Sequence, residues 1–131
     1  MILDTSAIIA ILQEEPSWPQ LLSALDNGDE LRMATPTLVE LQIVAASRNP
    51  IFLGRIEALI ESYAIEIVPF GRTHAALARI AYLTYGKGFH ARARLNLGDC
   101  FAYALAKAAG DPLLFIGDDF PHTNIVPALP A

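Results

Sequence analysis

"MILDTSAIIAIL", residues 1–12, is the stretch on which the fold turns. Met1-Ile2-Leu3 is short and wholly apolar, the pattern of a strand buried on both faces of a parallel sheet. Asp4 interrupts it. Thr5 or Ser6 can then cap a helix that carries Ala7-Ile8-Ile9-Ala10-Ile11 to about Gln13. A strand that hands directly to a helix is the first half of a crossover unit, and the chain repeats the unit. Leu31–Ala34 is a strand candidate, and Thr35-Pro36 opens a helix with a capping hydroxyl and a proline at the first helical position. Leu38, Leu41, Val44 and Ala45 share one face of that helix. Ile65–Pro69 reads as a strand, Thr73–Tyr85 as a helix, Asp99–Ala109 as a helix ended by Gly110, and Leu113–Ile116 as a buried strand. Further helices are expected over Gln20–Asn27 and Phe52–Tyr63, and Ile125-Val126 is a candidate edge strand. Strands alternating with helices predict a three-layer α/β/α domain with a central, mainly parallel sheet, spanning residues 1–131 as one unit.

Composition narrows the function. Of 131 residues 53% are hydrophobic and mean hydropathy is +0.38, which excludes a disordered chain. No apolar run reaches the roughly 18 residues of a membrane helix, and the N-terminus lacks a signal peptide's pattern, so a cytoplasmic location is expected. The lone cysteine, Cys100, excludes an internal disulfide and a cysteine-based metal site. A net charge of −5 opposes generic nucleic-acid binding, but all 14 acids lie outside Ile67–Gly98. That stretch holds Arg72, Arg79, Lys87, Arg92 and Arg94, five of the nine Lys and Arg. It reads either as a solvated helix face or as a basic approach to a polyanion. Gly86-Lys87-Gly88 within it suggests a mobile loop.

Ligands of open parallel sheets bind beyond the carboxyl ends of the strands. Asp4 follows the first strand, Glu40 lies early in the helix after the second, Asp99 opens the last long helix, and Asp118-Asp119 follow the last strand. Singly, Asp4 could be a cap, Asp99 a helix-dipole partner and Asp118-Asp119 turn residues. Together they form a set on one sheet edge. Two like charges 4 Å apart repel by about 4 kcal/mol at an effective dielectric near 20, so such a set needs a cation. Hard oxygen donors select Mg²⁺ or Mn²⁺, which suits metal-assisted phosphodiester hydrolysis. Nucleotide-binding glycine loops and the serine-hydrolase elbow are absent. His74, His90 and His122 lack metal-ligand spacing.

Four stretches, "MILDTSAIIAIL", "TPTLVELQIVAASR", "AYLTYGKGFHARARLNLGD" and "LNLGDCFAYALAKAAGDPLLFIGDDF", together resemble PIN-domain ribonucleases. Within these the resemblance is to the VapC toxins of type II toxin–antitoxin modules, and it covers nearly the whole chain. It implies a metal-dependent endoribonuclease whose acidic quartet is Asp4, Glu40, Asp99 and an acid of Gly117-Asp118-Asp119-Phe120. Many family members carry Thr-x-Asp or Thr-x-Asn in this turn where this chain has Gly-Asp-Asp-Phe; Asp118 is the first choice there, with Asp119 close behind. Asp4, Asp99 and Asp118 would then be ligands to Mg²⁺, or alternatively Mn²⁺, with Thr5 or Ser6 orienting the first acid. Arg72, Arg79, Lys87, Arg92 and Arg94 would hold RNA. A VapB-type antitoxin is implied, seated in a groove bordered by the Ile8–Leu12 and Ile43–Ala46 faces, as are a toxin homodimer and a larger toxin–antitoxin complex. Two other readings compete: a non-catalytic PIN-like module that binds RNA or protein, and a small-molecule phosphohydrolase. The acid set opposes the first. The second conflicts with the basic segment and with Ser6 standing where an aspartyl-phosphate enzyme carries a second Asp.

Overall fold

Ile2 and Leu3 are fully buried and form strand β1 (Ile2–Leu3) at the centre of the sheet. The computed structural model describes residues 1–130; Ala131, which the expected domain includes, lies outside the described residues. The elements follow in the expected order: α1 (Thr5–Leu12), α2 (Trp18–Asn27), β2 (Arg32–Ala34), α3 (Thr35–Arg48), α4 (Phe52–Ser62), β3 (Glu66–Val68), α5 (Arg72–Tyr85), α6 (Leu97–Ala109) and β4 (Leu113–Leu114). A single 3-10 turn, Phe120–His122, comes last. The four strands lie in the order β3-β2-β1-β4, and every pairing is parallel.

Because side chains alternate across a strand, each strand feeds both cores. Leu3, Met33 and Leu114 face the layer of α1 to α4. Ile2, Ala34 and Leu113 face α5 and α6. Burying Ile2 and Leu3 contributes about 1.5–3 kcal/mol each. In α6 the small Ala102, Ala104 and Ala106 are at most 2% exposed, which lets the helix lie close against the sheet. Gly110 ends it in the left-handed conformation, φ +67°, where a residue without Cβ is unstrained.

Several boundaries differ from expectation. The last helix begins at Leu97, two residues before Asp99, because Asn96 caps it and accepts the Asp99 N–H at 2.8 Å. The second begins at Trp18, with Pro19 inside its first turn, where the missing N–H costs nothing. Ile125-Val126 is not a strand: past β4 the sheet gains one bridge, Leu113 to Pro127, with the Leu113 N–H donating to Val126 O at 2.9 Å. The Ile8–Leu12 face does not border the acids: Ile11 and Leu12 instead line a cavity of about 560 Å³ with Leu22, Arg55 and Leu59 of α2 and α4. Residues Ile8–Leu12 are 9% exposed or less, since α1 lies inside the helical layer and is apolar all round. Nor is Gly86-Lys87-Gly88 a free loop, since Gly86 bridges to Leu95 and Lys87 to His90.

Candidate active site

The strand order reverses direction between β1 and β4, and at this switch point the sheet opens a crevice beyond its carboxyl ends. Asp4 stands there. Its backbone is still tied to the sheet, donating its N–H to Leu114 O at 3.0 Å. Its Oδ2 caps α1, accepting from the Ser6 N–H at 3.1 Å and the Ser6 hydroxyl at 2.6 Å. Ser6 Oγ in turn accepts the Ile116 N–H at 3.0 Å, which locks Asp4 to the chain leaving β4. Asp4 is 2% exposed, and its other oxygen, Oδ1, is buried with no hydrogen-bond partner. Capping therefore uses one oxygen and leaves the second free. A buried, unpaired carboxylate oxygen is costly and calls for a positive partner.

The next acid comes from α3. Glu40 is held by Thr5, whose hydroxyl donates to Oε1 at 2.5 Å. The two hydroxyls after Asp4 thus divide the work, Ser6 orienting Asp4 and Thr5 orienting Glu40. Glu40 also presses against the first turn of α6. A Cβ built on Gly98 would lie 1.6 Å from Oε2 and 2.7 Å from Oε1. Only glycine leaves space for the carboxylate. Beside it, Asp99 shares a reciprocal capping box with Asn96, its Oδ2 accepting the Asn96 N–H at 3.0 Å.

Of the two acids in the last turn, Asp119 is the one whose charge acts on Asp99. Asp118 lines a separate cavity of about 690 Å³ with Phe115, Ile116 and Phe120. The charge of Asp119 thus reaches Asp99, while Asp118, first in the order drawn from the sequence, lines that cavity. Both side chains are exposed. Buried Phe120 packs on Phe115, with ring centroids 5.0 Å apart, and so fixes the turn.

These acids burden one another. Burial, opposed by the Ser6 hydroxyl and reinforced by the charges of Asp99 and Glu40, raises the Asp4 carboxyl to about 7. Burial again, with Asp119 and Glu40 adding repulsion, raises Asp99 to about 6. Among the described residues no three acidic, histidine or cysteine side chains already form a cage for an ion. Asp4, Glu40 and Asp99 each have one oxygen held by a neighbour and the other available, and all the donors are hard oxygens. That donor set, with the orphaned Asp4 Oδ1, fits a divalent cation of the Mg²⁺ or Mn²⁺ type. Cys100 takes no part, as burial pushes its thiol up to about 12.

Arg72, Arg79, Lys87, Arg92 and Arg94 are all exposed. Among the described residues the ion pairs involve Arg32 and the N-terminal amine, and none of these five. Arg72 and Arg79 lie on α5; the other three lie on the segment that ends at Asn96. His74 and His90 serve the backbone. His74 Nδ1 accepts the Gly71 N–H at 2.9 Å, and His90 Nδ1 accepts the N–H groups of Arg92 and Ala93 at 3.0 and 2.9 Å. Beside Glu40 lies an apolar cleft of about 440 Å³, lined by Val39, Ile43, Leu97 and Phe101 among others. The apolar border of the site thus belongs to α3 and α6. Sequence reading missed two positions, Gly98 and Asn96. A glycine inside a first helical turn beside a lone acid was the available signal, and the Asn-x-x-Asp spacing was a capping box in plain view.

The PIN domain family profile matches residues 1–126. Ribonuclease VapC42 of Mycobacterium tuberculosis is 43% identical over 129 residues, 98% of each chain. Ribonuclease VapC30 of the same species is 44% identical over 126 residues, 95% of each. Among solved structures, the M. tuberculosis toxin VapC20, described as cleaving the sarcin–ricin loop, superposes with a TM-score of 0.69 at 11% identity, covering 95% of both chains. VapBC2 of Rickettsia felis, bound to a DNA fragment from its promoter, gives 0.69 at 16% identity, covering 96% of this chain and 94% of that one. The chain belongs to the PIN-domain family, and within it to the VapC group.

Proposed function

We propose that this protein is a divalent-metal-dependent endoribonuclease and the toxin of a VapBC-type pair, acting in the cytoplasm. One observation carries the reading: Asp4 Oδ1 is buried and unpaired at the sheet's switch point, with the charges of Asp99 and Glu40 acting on Asp4 and that of Asp119 on Asp99. The relatives above 40% identity, named ribonucleases, support it.

In this reading Asp4 and Asp99 hold Mg²⁺ or Mn²⁺, with Glu40 and Asp119 completing the negative site. The ion supplies an acidified water and charge neutralisation for phosphodiester hydrolysis. The chain supplies everything that makes the geometry fixed. Ser6 and Thr5 aim Asp4 and Glu40, the Asn96 box sets Asp99, and burial keeps bulk water from Asp4. The uncompensated cations of α5 and the following segment hold the polyanion. The apolar cleft of Val39, Ile43, Leu97 and Phe101 beside Glu40 suits an amphipathic antitoxin segment that brings a basic side chain to the acids. The exposed apolar residues of α5, Ile80 and Leu83, suit a toxin homodimer in a larger complex with the antitoxin.

End-group analysis of cleaved RNA tests the chemistry. Attack by water leaves a linear monophosphate and a free hydroxyl at the cut. Products ending in a 2′,3′-cyclic phosphate would mean attack by the RNA's own 2′-hydroxyl, and would overturn the proposed role of the acids.

A further inference from the structure

Phe89 is the exception in the basic segment: an aromatic side chain, 56% exposed, set among Lys87, His90, Arg92 and Arg94. Such exposure costs hydration free energy without a return from packing. The side chain is nonetheless held in place. Its ring meets Tyr82 edge-on with centroids 5.9 Å apart, and its N–H donates to Gly86 O at 2.9 Å. The segment carrying it is braced by the Gly86–Leu95 and Lys87–His90 bridges, by His90 Nδ1 on two backbone N–H groups, and by Ala93 and Leu95, both fully buried. Gly86 makes the tight closure possible, since a Cβ there would lie 2.3 Å from Tyr82 O. Leu95 adjoins Asn96, whose side chain caps Asp99. A braced, projecting aromatic ring between unpaired cations therefore stands on the segment that leads directly into the acid site.

We propose that Phe89 is a stacking platform for one unpaired base of the RNA substrate, with Lys87, Arg92 and Arg94 meeting the flanking phosphates. This rests on the ribonuclease reading above and adds to it the group that grips a base. The chemistry is that of single-strand binding generally: cations follow the backbone, and an aromatic face accepts any base without reading its edges. A fully paired helix keeps its bases stacked on one another and offers Phe89 no partner.

The test uses the full chain in three forms, wild type, Phe89→Ala and Phe89→Tyr, with a short single-stranded RNA that the wild type cleaves. Phe89→Ala should weaken binding, read as Kd or KM, by about five- to a hundredfold. The dependence of binding on salt should stay unchanged, because no charge is lost. Phe89→Tyr should restore binding. Replacing the stacked nucleotide by an abasic one should weaken binding to the wild type and leave Phe89→Ala unaffected. Wild-type cleavage with Phe89→Ala binding equally well overturns the platform alone, as does a Phe89→Ala defect that Phe89→Tyr fails to restore. If the wild type cleaves no RNA under any metal, the ribonuclease reading falls and this inference falls with it.

Discussion

Gly98 lacks a side chain where the Glu40 carboxylate needs the room, and that contact makes a selective prediction. The atoms a new Cβ would strike belong to the end of a flexible side chain, so Gly98→Ala can be accommodated by turning Glu40 aside. Alanine also favours a helix over glycine by about 1 kcal/mol. Gly98→Ala is therefore expected to leave the melting temperature unchanged or raised while RNA cleavage falls at least about tenfold, the effect of a misplaced polar group in a site of this kind. Thermal melts and cleavage rates on the same preparation check both halves. At this scale the sequence was partly legible. Asp4, Glu40 and Asp99 stood out as candidates because each is a lone acid beside apolar residues. Nothing in the sequence separates Asp118 from Asp119, because they are adjacent in one turn and each follows the same strand. Asp4 raised a question that had two true answers, since one oxygen caps the helix and the other is free.

The segment from Arg72 to Asn96 carries most of the molecule's available positive charge. If its cations contact phosphates of a single strand, each one removed should reduce the slope of log affinity against log salt by about 0.7. Measuring binding from low to moderate salt for Arg92→Ala, Arg94→Ala and the double variant checks this, and an unchanged slope removes those residues from the RNA path. The helices were legible as elements because caps, prolines and apolar periodicity agree along the chain. The strands are shorter than their apolar runs suggested. β1 and β4 are two residues each, since apolar character persists into the crevice after pairing stops. The apolar face of α1 was placed beside the acids for a related reason, whereas its Ile11 and Leu12 line a cavity with α2 and α4. Periodicity distinguishes apolar from polar faces, but a helix apolar on all sides gives no direction.

The whole molecule places like charges at its centre, and this gives a pH dependence. Asp4 and Asp99 are raised to about 7 and about 6 from the ordinary carboxyl value of 3.8. Between those limits the folded chain binds more protons than the unfolded one, so without metal its stability falls as pH rises from about 4 to about 7. The melting temperature of EDTA-treated protein should accordingly be higher at pH 5 than at pH 7.5, and Asp4→Asn should remove most of the difference. A divalent ion binds the ionised acids, so added Mn²⁺ should restore stability at pH 7.5. An EDTA-treated chain whose melting temperature rises from pH 5 to 7.5 would contradict the shared burden of these acids. The three-layer parallel architecture was legible at this scale because alternating strands and helices leave few topologies. The gathering of these acids on one sheet edge was legible from their shared position after strands and at helix starts, but the burial of Asp4 and the fit of Glu40 against Gly98 became visible only in three dimensions.

The central claim is that the acid cluster cleaves RNA through a bound divalent ion. The most direct measurement is cleavage of one RNA by purified, antitoxin-free chain, first stripped with EDTA and then given Mg²⁺, beside Asp99→Asn treated identically. Cleavage that vanishes with EDTA, returns with Mg²⁺ and never appears in Asp99→Asn is the predicted result. Cleavage that persists in EDTA, or an Asp99→Asn chain as active as the wild type, would contradict it.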